Sequence, residues 1–468
     1  MKGKAMNRIK IDYLMGVLLM VLSVSLGGGC AGTTIKYYKS AQINDDYKIV
    51  AKRPIVESYA KKTNCYEITY DEKGRITNVK YLRGGKPGGN SDFGARIAEI
   101  LIEYSGNTEK RSFFNQNGEK DQYEKNVYSL LFNYLNDHSQ MSLKKYDLDG
   151  KAVVDSEGIY ERRFTLNQQG QKIKKIFLDK EGNRIALPNG IFEISYSYDA
   201  KGNITETRNY GKNGKPIGDD LGYAISQIKY EYDPAGNIIL EEWKGYNAEG
   251  NIKKDEDGIA ETKSKYDMHG DWIEWSFWGE DNRLKEDASG VAIRKLKNDE
   301  FGNMVEAAHY GSDGKLKESI HGTAIVRWTL DDRGNRIETR TYGVDGKLKD
   351  EGDGPVIVRY IYDSKDSNIG MRYFGVDGKP KENKDGVAEI KTLSDEYGRT
   401  IETRYHNLRG ELTNNAKSGC ALEKTEWISD KETKDTCYDK NGRIIEKKKL
   451  SINRVEAPDR PIDPEIEL

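Results

Sequence analysis

Glycine recurs along this chain at nearly constant spacing, at Gly158, Gly190, Gly222, Gly258, Gly290, Gly322, Gly354, Gly386 and Gly419, with Ala two residues later in most copies. Two further series keep step with it. A Gly-Lys or Gly-Asn turn falls at Gly150, Gly182, Gly214, Gly250, Gly314, Gly346 and Gly378, 32 residues apart except for one step of 36 and one double step of 64. A turn of the form Tyr-Asp-x-x-Gly-Asn, or a near variant, falls at Gly202, Gly236, Gly270, Gly302, Gly334 and Gly398. Gly94 and Asn126 extend the first series backwards and Gly118 extends the second. About eleven units of 32 residues thus fill roughly Asn64 to Leu450. A fixed period of this size marks a serial supersecondary unit that cannot bury its apolar face alone. Neighbouring units must supply one another's core.

In the unit that begins at Gly322, Ala324-Ile325-Val326-Arg327-Trp328-Thr329-Leu330 is β-branched and aromatic, which predicts a strand. Asp331-Asp332-Arg333-Gly334 follows: Asp suits the first position of a type I turn, and Gly supplies the left-handed residue that closes a bulged hairpin. A second strand, Arg336 to Tyr342, ends at Val344-Asp345-Gly346-Lys347, another hairpin signal. No window sustains a 3.6-residue apolar period, except Ile97 to Tyr104, which also fits a strand. The expected fold is all-β, an elongated antiparallel sheet of serial β-hairpins. The alternative is a β-solenoid whose units pair in parallel, against which stand the Asp-x-x-Gly turns, since these join consecutive strands antiparallel.

Alternation along the second strand separates two faces. Ile273, Trp275 and Phe277 fall on one, and Trp272, Glu274, Ser276 and Trp278 on the other. Glu recurs in one slot, at Glu206, Glu274, Glu306, Glu338, Glu402 and Glu446, with an aromatic four residues on at Tyr210, Trp278, Tyr310 and Tyr342. One face is therefore expected to be polar and striped. The apolar fraction, 36%, is low for a compact globule, while Gly at 48 and Tyr at 30 of 468 residues are high. Tyr can cover a half-buried sheet and keep its hydroxyl wet. The 75 basic and 77 acidic residues nearly cancel, which leaves no electrostatic footprint for nucleic acid.

At the N-terminus Lys2, Lys4, Arg8 and Lys10 precede the apolar run Leu14 to Leu26, then Gly27-Gly28-Gly29-Cys30. This order reads as a secretory signal peptide over residues 1–29, too short to span a bilayer. The Gly-Cys junction resembles the bacterial lipobox, although Leu26 stands four residues before Cys30 where that pattern has Leu at three. The resemblance implies diacylation of Cys30 and a lipid-anchored protein of the bacterial cell envelope; plain secretory cleavage is the alternative. Residues 30–63 read as a linker, 64–450 as the repeat array and 451–468 as a Pro- and acid-rich disordered tail. Cys420 and Cys437 flank an insertion in the last unit and could bond across a hairpin, which leaves Cys65 as a small buried residue.

The segments Tyr196-Ser197-Tyr198-Asp199-Ala200-Lys201-Gly202-Asn203, Tyr230 to Asn237 and Tyr360-Ile361-Tyr362-Asp363 resemble the YD repeats of the bacterial Rhs family. That resemblance implies long antiparallel sheets of serial hairpins in secreted or surface proteins that wrap cargo or bind carbohydrate. The 32-residue period is longer than the family's usual unit, and the Asp-Gly-Lys turn is extra. The Asp-Gly-Lys segments also resemble short MORN-variant and WG repeats.

Catalytic signatures are missing. The five histidines, His138, His269, His309, His321 and His406, sit in different repeat positions and read as solvated surface residues, and no Gly-x-Ser-x-Gly, His-Glu-x-x-His or phosphate loop is present. Acidic pairs such as Glu274 with Glu280 and Asp281 are common by chance among 77 acids, and the recurrent Glu is better read as a cross-strand partner of Arg and Lys. The acidic returns Asp255 to Gly258 and Asp350 to Gly354 lack EF-hand order and read as solvated loops, so neither metal nor cofactor is expected. Trp272 and Trp278, about 20 Å apart at ~3.3 Å per residue, with Glu274 between them, form the candidate ligand surface for an extended glycan. The sequence therefore points to an envelope-anchored repeat protein that offers an extended β surface for interaction or structural support, attached to the membrane by lipid and facing a protein or glycan partner. A glycan-binding protein and an Rhs-like accessory of a toxin or secretion system are the alternatives. Metabolic labelling with a fatty-acid analogue is expected to mark the wild-type chain and spare Cys30→Ser; equal labelling of both refutes the lipid anchor.

Overall fold

The computed structural model describes residues 33–446, apart from 45–46, 90–91, 95, 136, 350–354, 365–366, 396–398 and 430–431. The leader, Cys30 and the 451–468 tail lie outside the described residues. Among the described residues thirty strands form one sheet, and one short helical turn, α1 (Glu57–Ala60), interrupts them. Pairing is antiparallel both within a unit, as between Ile325–Leu330 and Arg336–Tyr342, and between units, as between Arg336–Tyr342 and Ile357–Tyr362. Serial hairpins, not solenoid coils, build the array.

The turn chemistry explains the geometry. Asp331 Oδ1 accepts the amides of Arg333 and Asn335 at 3.0 and 2.8 Å, while the Gly334 amide donates to the Asp331 carbonyl at 3.0 Å. Gly334 holds φ at 90°, in the left-handed region that glycine enters without cost. The result is a bulge: Thr329 faces Glu338 but Leu330 faces Arg336, so Ile337 is left without an opposite residue. Equivalent register shifts recur in the hairpins closed at Gly170, Gly202, Gly236, Gly270 and Gly302.

A bulge frees backbone groups, and the next unit satisfies them. The hydroxyls of Tyr104, Tyr198 and Tyr362 donate to the carbonyls of Ile76, Lys172 and Arg336 at 3.0, 2.8 and 2.9 Å. The Asn298 amide and Trp427 indole N–H do the same for Trp272 and Thr400 at 2.9 and 2.8 Å. The Tyr of the Tyr-Asp motif is thus a tether between units, so its hydroxyl is bonded where a solvent-facing one was expected.

The single 36-residue step also has a structural cause. Ile225–Tyr232 and Ile238–Tyr246 are 8 and 9 residues long, where the Gly334 hairpin has strands of 6 and 7. Each strand gains two residues, so the turn glycine Gly236 stands 34 residues from both Gly202 and Gly270.

One expectation needs correction. Residues 34–55 are not linker: β1 (Thr34–Ile43) pairs with β2 (Ile49–Ile55) on one side and with β3 (Asn64–Tyr70) on the other. These strands fall outside the 32-residue phase, which hid them. The expected long antiparallel sheet is present, and it is curved, because the segment from Arg53 to Asn64 touches turns 218 to 271 residues later in the sequence. The sheet is long but coils back on its own beginning. Its largest core lies at that beginning, where Ile68, Ile100, Phe113, Leu130, Phe132 and Phe164 pack together and β1, β2 and the loop between them supply Tyr38, Ile43, Tyr47, Ile49 and Ala51. Later cores are smaller and shared between units, as where Leu296 and Ala307 meet Val326 and Trp328.

Gly314 isolates the backbone requirement, since its φ is +74° and a Cβ there would meet nothing within 4 Å. Gly314→Val is expected to cost more than ~1 kcal/mol from φ alone, and Gly314→Asn much less, because a β-branched residue is an outlier in this region while Asn tolerates it. Asn282, at the same repeat position, already sits at φ 56°. Chemical-denaturation midpoints decide, and equal midpoints for Val and wild type would refute the turn assignment.

Candidate functional site

The outer face of the sheet carries one charged rung per unit. Glu242 meets Lys229 and Lys263 at 3.3 and 2.8 Å. Glu306 meets Lys297 and Arg327 at 2.5 and 2.7 Å, and Glu338 meets Arg340 and Arg359 at 2.6 and 2.8 Å. Partial burial alone would raise the Glu338 carboxyl, but hydrogen bonds from Arg359 and Arg340 outweigh it and hold the group below the usual range. The basic side chains then cap the aromatics of the same rungs: Lys263 over Trp278 at 4.8 Å, Lys295 over Tyr310 at 4.8 Å, Arg327 over Tyr342 at 4.6 Å and Arg359 over Phe374 at 4.4 Å. Each exposed pair contributes about 0.2–1 kcal/mol and each cation–π contact about as much. The recurrent Glu is a cross-strand partner.

The structure separates the three candidate ligand residues. Lys265 faces Glu274 but Tyr266 faces Trp272, so the bulge moves Trp272 off the face that strict alternation assigned to it. Trp272 stacks on Tyr266, with ring centroids 6.3 Å apart, and packs against the Leu296 and Ile238 clusters. Ile273, expected inside with Trp275 and Phe277, is 38% exposed; the other two are buried. Trp278 stays on the outer face but lies under Lys263, with its indole N–H donated to Ser276 Oγ at 2.9 Å. Glu274 is taken by Lys265 at 2.8 Å. The two indoles do not form one platform.

A polar cluster that sequence reasoning did not find lies between β2 and the elongated hairpin at 225–246. Glu241 stands opposite Tyr230 on the core face and is 3% exposed. Burial pushes its carboxyl up to about 8, against the pull of Lys52 and a hydrogen bond with Tyr266. Burial likewise lowers the Lys52 ammonium, against Asp271 and Glu241, and raises Asp271 despite Arg53. Tyr230 is raised by burial, then by Glu241, Tyr266, Tyr232 and Asp199. The signal was the two-residue extension of each strand: Gly236 is displaced to 34, and Glu241 takes the inward position that Thr339 holds elsewhere. A second buried group joins Asp155 to Arg162 and to Lys145, which is 3.1 Å away, with Glu124 also on Lys145 at 2.6 Å.

Histidine placement corrects another expectation. His309 is fully buried, with Nδ1 3.1 Å from the Thr323 carbonyl, and His406 is buried, which lowers its pKa. His138, His269 and His321 are exposed. Cys420 and Cys437 are bonded, with Cα atoms 5.4 Å apart, and burial pushes the Cys65 thiol up to about 11. Asp255 Oδ1 is consumed by the amides of Asp257 and Ile259, and the 350–354 return lies outside the described residues. Among the described residues no three His, Cys, Asp or Glu side chains gather as metal ligands. Two open concavities of about 400 Å³ lie on the sheet, one at Asn167, Gln171 and Tyr196, the other at Asn133, Lys144 and Glu161.

No family model matches the chain, and no curated protein matches it. Among solved structures, TcdB2-TccC3 without its hypervariable C-terminal region aligns at TM-score 0.26 and 11% identity, covering 89% of this chain and 26% of that one. The Photorhabdus luminescens Tc holotoxin pore aligns at 0.25 and 11%, covering 88% and 24%. A porin-like protein from Bacteroides uniformis aligns at 0.22 and 12%, covering 68% and 92%. This chain spans about a quarter of the Tc chains' length.

Glu241 yields a pH prediction. Its folded pKa, about 8, lies above the unfolded value, so its contribution to stability is full below ~4.3 and is lost as pH rises through about 8. Between pH 5 and pH 8 the wild-type melting midpoint is expected to fall more than that of Glu241→Gln; parallel curves would refute the buried-acid assignment.

Proposed function

We propose that this chain is an envelope-anchored repeat protein whose coiled sheet presents its outer face as an extended surface for interaction or structural support, without catalysis. The observation that carries this reading is the outer face itself: rungs of Glu, Arg or Lys and an aromatic recur from unit to unit and satisfy one another in the plane of the sheet. Such a surface is continuous and stiff, and it suits a partner that lies along it. The Glu241 and Asp155 clusters tie elements together and line neither concavity named above, which favours support over chemistry.

A lipid on Cys30 would stand four residues before β1, at most about 14 Å of chain at ~3.5 Å per residue. Anchored there, the array rests at the bilayer surface. The glycan-binding reading loses its paired indoles, since Trp272 turns inward. The coil of serial hairpins favours the Rhs-like accessory as second reading, and neighbouring genes of a toxin or secretion system are its test.

Photo-crosslinkers placed at Arg340 and Arg372 in cells are expected to trap a discrete partner or the chain's own envelope neighbours. No adduct from either position would overturn the working-surface reading. Saturable glycan binding by the Cys30→Ser chain that Trp278→Ala abolishes would install the glycan reading in its place.

A further inference from the structure

The segment from β1 to Asn64 crosses the coil as a strap, and its two ends meet different parts of the protein through different chemistry. Towards the first units it is apolar. Tyr38, Ile43, Tyr47, Ile49 and Ala51 pack against the main core, and β1 is laced to β3 by a backbone ladder. Towards the later units it is polar and sparse. Arg53 Nε donates to Asp271 Oδ2 at 2.5 Å, one Arg53 Nη donates to the Glu300 carbonyl at 2.6 Å, and the other lies 3.6 Å from the Asp267 carboxylate. Tyr59 stacks on Phe301 with ring centroids 3.9 Å apart. Thr63 Oγ1 and the Asn64 amide both donate to the Arg333 carbonyl, at 2.9 and 3.1 Å.

These contacts fall on three consecutive hairpin turns, 267–271, 299–303 and 331–335, so one short stretch of chain spans three units. The hairpin ladders of those units run to their sequence neighbours, and no backbone ladder joins them to β1, β2 or β3 among the described residues. The strands can therefore persist whether or not the strap is engaged. Arg53 itself sits at φ 53°, a conformation that non-glycine residues rarely adopt and that concentrates at clamps and switches. Its seat is Gly302, where a Cβ would collide with the Arg53 side chain.

We propose that the strap is a releasable clasp. Engaged, it holds the turns at 267–335 against the N-terminal end and keeps the sheet coiled; released, the coil opens along that seam with its hairpins intact. The asymmetry sets the order of events, because a buried apolar side with a ladder gives way after a side held by two cations, Lys52 and Arg53, one ring stack and the hydrogen bonds of Thr63 and Asn64. Since the strap begins four residues after Cys30, tension on an anchored N-terminus would pass first into β1 and then into these contacts.

The test uses the full chain with Cys30→Ser, comparing wild-type strap, Asp271→Asn, the double variant Arg53→Ala/Tyr59→Ala, and Arg340→Ala as a control on an outer rung. Small-angle scattering, far-UV circular dichroism and amide exchange at Asn64 are read together. In the double variant the dichroism is expected to hold, the radius of gyration to rise by roughly a tenth, and Asn64 protection to fall about tenfold. Asp271→Asn is expected to fall between it and wild type, and Arg340→Ala to match wild type. Unchanged radius and protection in the double variant would overturn the clasp, and so would loss of the β-sheet dichroism, which would make the strap part of the folding core.

Discussion

Most units depend on one backbone event, the left-handed glycine that closes an Asp-x-x-Gly or Asn-x-x-Gly turn and leaves the following strand with one residue more than its partner. The carboxylate at the head of the turn fixes the loop by accepting two amides, as Asp331 does from Arg333 and Asn335. The extra residue shifts the register, so the strand's first side chain points to the side opposite to that which alternation assigns. It also releases a carbonyl, which the following unit reclaims with a Tyr, Asn or Trp side chain. Bulges raise local twist, and a bulge in each of many successive hairpins accords with a sheet that coils rather than lies flat.

Charge is used in two ways on the two faces. Outside, the rungs are half-exposed and mutually paired, so each contributes little, and their regularity matters more than their strength. Inside, two interactions join elements distant in sequence, Lys52 with Glu241 and Arg53 with Asp271, while Arg162 and Asp155 pair within one unit. A buried pair gains little net stability over apolar packing, but removing one partner leaves an uncompensated charge, so such pairs penalise misplacement of the elements that carry them. The strap is held in register by groups of this kind on one side and by packing on the other.

Much of the unit was legible because its signals are local. Asp331 and Gly334 specify a turn whatever surrounds them, and the two-residue lengthening of the strands about Gly236 is written in the spacing of the glycines. The opposition of Glu338 to Arg359 follows from period-two alternation and the repeat. Trp272 was assigned to the wrong face because alternation counts residues without the bulge. His309 and His406 were read as solvated because a polar side chain gives no notice that its neighbours will cover it. Glu241 looked like one acid among many, and only its place opposite Tyr230 and beneath Lys52 makes it distinctive.

The sequence alone determined that this chain is an array of antiparallel hairpins, where each reverses direction, and which residues of a strand can meet across a ladder, since all of these depend on contacts within about 40 residues. Tertiary structure decided that the array coils, that residues 34–55 enter the sheet, and which turns receive Arg53, Tyr59 and Thr63. Those contacts join groups 218 to 271 residues apart, and their formation depends on twist accumulated over many units. No window of sequence records that sum.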